Sequence, residues 1–212
     1  VQSRPLDDVK RLAIDETSRL RGHDYVTVII DADQRRVIDV EEGRDKETIA
    51  LFAEKLEVHG GNAKAISAVT SDMSKSYLSA IEENFPSAIS IIDKFHVKKV
   101  LMDALDTVRK EEQRVAESKA ELFRGRRLFM VPKGRLTDAQ ATKLDSLSKL
   151  YPKTGRAYSI VSALDSLYTC HTKQDAEKSF DGLYSWMRRC RLQPMKDAAL
   201  TLKRHKDKIL AY

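Results

Sequence analysis

Three aspartates, Asp15, Asp72 and Asp93, stand where a carboxylate on a rigid scaffold could do chemistry. Each closes or directly follows a short apolar run of the kind that forms a strand. If the strands carrying Asp15 and Asp72 lie side by side, their side chains face each other across about one strand spacing, near 5 Å. Two carboxylates that close repel each other unless a cation sits between them. Hard oxygen donors suit Mg2+ or Mn2+. Two such ions about 3.5–4 Å apart can activate an attacking oxygen and stabilise the leaving oxygen of a phosphodiester. The plainer alternative is that these aspartates form turns and cap helices, as aspartates at strand ends often do. Asp31 and Asp33, in a polar turn, are of that plainer kind. Glu16 follows Asp15 and, by strand alternation, points to the opposite face, so it is not assigned to a metal.

The elements that must position these acids are legible in the periodicity. Val9 to Asp15 is a short apolar run. Tyr25 to Ile30 is almost wholly β-branched or aromatic, and Arg35 to Val40 follows the turn at residues 31–34. Three strands this close together predict an antiparallel meander. Ile49, Phe52, Ala53 and Leu56 then mark one face of a helix over 45–59, stopped by Gly60-Gly61. His59, just before that stop, serves as a helix C-terminal residue. Ala65 to Val69 is a fourth strand, a short helix bears Tyr77, Leu78 and Ile81, and Pro86 precedes a fifth strand over Ala88 to Ile92. The succession βββαβαβ is that of a ribonuclease H-like α/β core, in which strands one and four are central neighbours. Strand order alone is weak ground, because mixed α/β chains are common.

After Asp93 the period is helical throughout, with helices predicted over 95–122, 137–150, 154–168 and 173–189 and another after Pro194. Thr137-Asp138-Ala139-Gln140 has the spacing of a capping box. The expected organisation is a ribonuclease H-like catalytic core over 1–95, lacking its last helix, followed by a large all-helical insertion region over 96–212. Trp186, among Phe180, Leu183 and Met187, is expected in the core of that region rather than as a base-stacking surface.

The 212 residues are 42% hydrophobic and 33% charged, the balance of a folded globular chain. No window approaches the ~18 consecutive apolar residues of a membrane-spanning helix. Two cysteines, Cys170 and Cys190, build neither a disulfide framework nor a four-cysteine zinc site, and Cys170-His171 lacks a second ligand pair. A reduced, cytoplasmic setting is expected. Net charge is +6, with 38 Lys and Arg against 32 Asp and Glu. The excess gathers at Arg124, Arg126 and Arg127 and again at Arg188, Arg189 and Arg191, either as solvated faces or as contacts to a phosphate backbone.

Several motifs in order carry a resemblance. Leu12-Ala13-Ile14-Asp15-Glu16-Thr17-Ser18 with Gly22-His23-Asp24-Tyr25 resembles the opening of the DDE domain in ISL-type bacterial insertion-sequence transposases. Val69-Thr70-Ser71-Asp72-Met73-Ser74 with Tyr77 is similar to their second-aspartate motif. Pro86 and Ile92-Asp93-Lys94-Phe95-His96-Val97 resemble their next signature, and Trp186 with Arg188-Arg189 and Leu192-Gln193-Pro194 resembles a helical stretch shortly before their catalytic glutamate. The resemblance implies metal-dependent DNA cleavage and strand transfer of an insertion sequence, with Asp15 and Asp72 as catalytic ligands of Mg2+ or Mn2+. It implies DNA ends and target DNA as partners, and a homo-oligomer in the active complex. Asp93 and His96 are auxiliary candidates: Asp93 as a helix cap, a further ligand or a group that holds His96, and His96 as a phosphate contact or packing residue.

One departure stands beside these motifs. The family's third acid, a glutamate beyond an Asn-Gly segment, has no match before Tyr212, and Asp197 and Asp207 fit nothing in that motif. With Val1 in first place, the expectation is an excised core, inactive alone for want of one ligand. A ribonuclease H-like nuclease or resolvase, and a non-catalytic DNA-binding remnant of a transposase, are the alternative readings.

Overall fold

The computed structural model describes residues 5–18 and 25–212; Gly22, His23 and Asp24 of the opening motif lie outside the described residues. The chain divides into two compact units, one of residues 1–96 with 207–212, the other of residues 97–206. The second unit is therefore inserted into the sequence of the first, and the chain returns to the first unit at Asp207.

The first unit is a mixed α/β body. Its elements are β1 (Arg11–Ser18), β2 (Tyr25–Asp31), β3 (Arg36–Glu42), α1 (Lys46–Val58), β4 (Ala68–Ser71), α2 (Lys75–Asn84) and β5 (Ile89–Ile92). The sheet order is β3-β2-β1-β4-β5. β1, β2 and β3 are antiparallel neighbours, whereas β4 runs parallel to both β1 and β5. The strand and helix succession is the one the periodicity predicts.

β1 differs from expectation in running past Asp15 to Ser18. The polar residues Asp15, Glu16 and Thr17 stay in the ladder because they pair with the β-branched run Val28, Thr27 and Val26 of β2. Asp15 is thus held inside a strand, not at its frayed end. Asp31 and Asp33 do build the turn: Asp31 Oδ1 accepts the backbone N–H groups of Asp33 and Gln34 at 3.0 and 3.1 Å.

One face of the sheet is closed by α1 and α2. Leu12, Ile14, Ile29 and Val69 face Ile49, Phe52, Leu56, Tyr77 and Ile81 in a continuous buried core. α1 begins at Asp45, whose carboxylate accepts from Thr48 N at 3.2 Å, and ends at His59 followed by Gly60 with φ +83°. Gly61 is required by space: a β-carbon there would lie 2.9 Å from the Leu6 carbonyl oxygen and closer still to the Leu56 side chain. Gly61→Ala is expected to destabilise the first unit by about 1–3 kcal/mol, the usual cost of overpacking, and the urea midpoint measures it. An unchanged midpoint would mean that the Leu6 segment simply moves aside.

The second unit holds most of α3 (Lys94–Val115), then α4 (Lys119–Gly125), two 3-10 turns, α5 (Asp138–Leu150), α6 (Pro152–Leu167), α7 (Lys173–Arg189) and α8 (Gln193–Arg204). The long helix expected over 95–122 is interrupted between Val115 and Lys119. Thr137 and Gln140 form the reciprocal capping box that opens α5. Consecutive helices pack from α5 through α8, around Phe129, Leu147, Ile160, Leu164, Phe180, Met187, Met195 and Leu202. The start of α6 is tied to α3 by a buried carboxylate. Glu112 accepts from Lys153 N at 3.1 Å, Thr154 N at 2.7 Å and Thr154 Oγ1 at 2.7 Å.

Trp186 corrects an expectation. It is 40% exposed, because the buried stripe of α7 runs through Ala176, Phe180, Leu183 and Met187 and passes beside it. Among the described residues, no helix is long and apolar enough to cross a membrane.

Candidate metal and phosphoryl-transfer site

The three aspartates sit in or just past three adjacent strands, Asp15 within β1, Asp72 one residue after β4 and Asp93 one residue after β5. Ala13 of β1 lies opposite Thr70 of β4, and Ser71 of β4 lies opposite Ile92 of β5. Carried on at the same register, Asp15 falls opposite Asp72, and Asp72 opposite Asp93. The hydrogen bond from Asp93 N to Ser71 O, 2.9 Å, continues the β4–β5 ladder to that level. Neighbouring positions in such a row are about 5 Å apart.

Asp15 lies on the sheet face opposite α1 and α2, and the same alternation carried past the strand ends would put Asp72 and Asp93 on that side. Ile14 on β1 and Val69 on β4 belong to the buried core. Asp15 is one position from Ile14, and Asp72 three positions from Val69. Strand alternation places Asp15 on the far side from that core, and carried past the end of β4 it would place Asp72 there too. Glu16 lies on the core side, as expected. It pairs with Thr27, whose Oγ1 is 2.7 Å from the Tyr77 hydroxyl of α2. Burial pushes the Tyr77 pKa upward. The Thr27 hydrogen bond partly offsets this, and the charges of Glu16, Asp72 and Asp45 add to it. Tyr77 therefore stays a neutral phenol beneath the acids.

Each carboxylate is pinned by a local backbone donor. Asp15 Oδ1 accepts from Glu16 N at 2.9 Å, and Asp72 Oδ1 from Ser74 N at 2.8 Å. Asp93 Oδ1 accepts from Phe95 N at 2.8 Å, capping the first turn of α3. In each case the local backbone donor fixes one carboxylate oxygen. The Asp15 side chain is 61% exposed, so an incoming cation or phosphate can reach it.

His96 comes into the same group, one turn after Asp93. Its backbone N–H donates to Asp93 O at 3.0 Å, and its Nε2 is 3.6 Å from Asp15 Oδ1. Sequence reading left His96 between phosphate contact and helix packing and did not foresee its approach to Asp15. The i+3 step from a capping aspartate was the available signal.

No cluster of three or more His, Cys, Asp or Glu positioned to hold a metal occurs among the described residues. The donor chemistry nevertheless fits a hard divalent ion. Mg2+ keeps several waters and is commonly bound through one or two carboxylates plus substrate phosphates. Asp15, exposed, and Asp72, half-buried, are carboxylates of the kind such a partial shell uses.

The basic candidates lie in the second unit. Arg124 and Arg127 are exposed, while Arg126 is half-buried. The Arg126 guanidinium is engaged locally, stacked 4.0 Å over the Phe123 ring and donating to Phe123 O at 2.8 Å. Arg188, Arg189 and Arg191 are exposed at the end of α7 and in the turn that follows it.

Comparison with known proteins gives the family. The chain belongs to the ISL3-type DDE transposase family, whose model, described as a transposase, matches residues 12–212. It is similar to the transposase for insertion sequence element IS1557 of Mycobacterium tuberculosis, with 28% identity over 94% of this chain and 50% of that protein. It is also similar to the transposase for insertion sequence element IS1001 of Bordetella parapertussis, with 28% identity over 96% of this chain and 51% of that protein. The chain thus spans about half the length of the curated relatives it matches.

Proposed function

We propose that this chain carries the acidic face of a ribonuclease H-like catalytic core and its helical insertion, and that it serves DNA cleavage and strand transfer of an insertion sequence. The observation that supports this reading is the parallel β1–β4 register, Leu12 opposite Val69 and Ala13 opposite Thr70, which carried two residues further would put Asp15 beside Asp72. Asp15 and Asp72 would hold Mg2+ or Mn2+, with the further acid of the DDE motif completing the set. When bound, such ions activate the attacking oxygen and neutralise charge on the leaving oxygen of a phosphodiester.

The chain's own residues have distinct parts. The backbone N–H groups of Glu16 and Ser74 fix the orientation of the two carboxylates. Asp93 opens α3 and thereby places His96 next to Asp15, where its imidazole can donate a hydrogen bond to a carboxylate or a phosphate oxygen. The hydroxyl of Tyr77, kept neutral by burial, ties α2 to β2 through Thr27 and holds the sheet beneath the acids. The exposed arginines of the second unit would follow the DNA backbone, contacts that position a duplex without reading its sequence. A homo-oligomer in the active complex belongs to the same reading.

Mn2+ binding tests the carboxylate assignment on the 212-residue chain. Titration followed by electron paramagnetic resonance is expected to show binding that weakens by about tenfold or more in Asp15→Asn and in Asp72→Asn, the scale of lost metal-site contacts. Asp33→Asn, in the turn, should leave it unchanged. Equal Mn2+ binding by the parent and the Asp15→Asn/Asp72→Asn double variant would refute the assignment.

A further inference from the structure

The end of α7 breaks two rules of residue use on either side of the exposed Trp186. Gly182 lies one turn before it, inside the helix, where glycine costs about 1 kcal/mol relative to alanine. No packing demands it, since a β-carbon at Gly182 would meet nothing within 4 Å. Arg191, in the turn after α7, adopts φ +61°, the left-handed conformation usually given to glycine at a helix end. A non-glycine residue there costs about 1–2 kcal/mol. Glycine stands where alanine would be more stable, and arginine where glycine would be. Local rules broken with no gain in stability mark functional sites.

Both exceptions shape the surroundings of the indole. Helical side chains lean toward the N-terminus, so Trp186 leans across the turn that Gly182 leaves bare. Arg189, at i+3 from Trp186, is braced on the same side by its Nε–H bond to Ser185 O, 3.3 Å. Arg191 sets a third guanidinium beyond the helix end. From Gly182 to Lys196 there is no acidic residue. The helix macrodipole accounts for cations at Arg188 and Arg189; it accounts for neither the bare turn, nor the exposed indole, nor the strained Arg191.

We propose that Trp186 is a stacking platform for an unpaired nucleobase, with Arg189 and Arg191 holding the phosphates on either side of it. An exposed indole offers a base a flat partner, and stacking of this kind is independent of sequence. Bases inside a duplex are already stacked on their neighbours, so the ligand is DNA with a single-stranded or extruded nucleotide. The inference rests on the reading that this chain acts on DNA, but not on the carboxylate assignment.

Trp186 is the single tryptophan of the chain, so its emission reports this contact directly. Titration with a single-stranded oligonucleotide, and with a duplex bearing an unpaired flap, is expected to quench the fluorescence saturably. A blunt duplex of the same length should not. By anisotropy of a labelled strand, Trp186→Ala should weaken single-strand binding by about 5- to 100-fold, the range for loss of one stacked base, and Trp186→Phe should recover part of it. Gly182→Leu, which fills the bare turn without touching the core, should weaken binding as well. Binding without quenching, equal affinity of Trp186→Ala and the parent chain, or no binding to any of these DNAs would each overturn the proposal. Asp33→Asn, in the turn of the first unit, should quench like the parent. Loss of Mn2+ discrimination with quenching intact would remove the carboxylate reading alone, and the converse result would remove only this one.

Discussion

Asp72→Asn, and separately Asp15→Asn, lower DNA strand cleavage by the full-length protein by about 10²–10³-fold if these acids stabilise charge in the transition state as proposed. The substitutions are close to isosteric. An asparagine Oδ1 can still accept from Ser74 N at position 72 or from Glu16 N at position 15, so both local turns survive. The lost quantity is the negative charge of the carboxylate. Asp93→Asn is the informative companion, because its amide oxygen can keep the bond from Phe95 N that opens α3. A small effect there would make Asp93 a cap that positions His96, and a loss equal to that at Asp72 would make it a ligand. The measurement is release of labelled ends from a donor DNA in Mg2+, with thermal unfolding of each variant as the control for folding. Cleavage at the parent rate by Asp15→Asn would sink the assignment of the row.

Glu112→Gln is expected to destabilise the second unit by about 2–4 kcal/mol. Glu112 is only 8% exposed, and its two oxygens receive three donors from Lys153 and Thr154 at the start of α6. Hydrogen bonds to a charged acceptor contribute about 1.5–3 kcal/mol each, and a buried donor left unmet costs about 1–3 kcal/mol. Glutamine keeps the shape but turns an NH2 group toward one of these donors, so one contact becomes repulsive and the charge is lost. For a unit of this size that corresponds to a fall of about 10–20 °C in Tm. Hydrogen exchange should localise it as lost protection at the first amides of α6. A Tm within about 2 °C of the parent chain would show that solvent satisfies Lys153 and Thr154 equally well.

Much of the first unit was legible because its elements are driven by local chemistry. The β-branched run Tyr25–Ile30 has little choice but to extend. Ile49, Phe52 and Leu56 define a helix face, and Gly60-Gly61 ends it for steric reasons. The placement of Asp15, Asp72 and Asp93 after apolar runs was equally open to view, as was the break in period after Asp93. What escaped depended on pairing across the chain. β1 extends beyond Asp15 because β2 holds its polar end in the ladder, and nothing within residues 15–18 announces that. His96 reaches Asp15 through the capping turn at Asp93, a product of three-dimensional register. Trp186 was misjudged because helical periodicity gives the direction of a buried stripe but not its width. Phe180, Leu183 and Met187 already fill that stripe. A glutamate such as Glu112 on a long polar helix looks solvated until its partner helix is known.

The insertion of residues 97–206 between two parts of the first unit also bears on the order in which the molecule is made. Every strand pairing of the sheet joins residues between Arg11 and Ile92. On a ribosome the sheet and its two helices can therefore assemble while the helical unit is still being synthesised, as domains generally fold in order of emergence. Asp207–Tyr212 arrive afterwards. They bring Ile209 and Leu210 into burial and Lys208 to Glu82 of α2, 2.8 Å away. The nascent chain must then hold an acid-bearing sheet, paired throughout its described strands, through the translation of more than a hundred further residues before the contacts of Asp207–Tyr212 close.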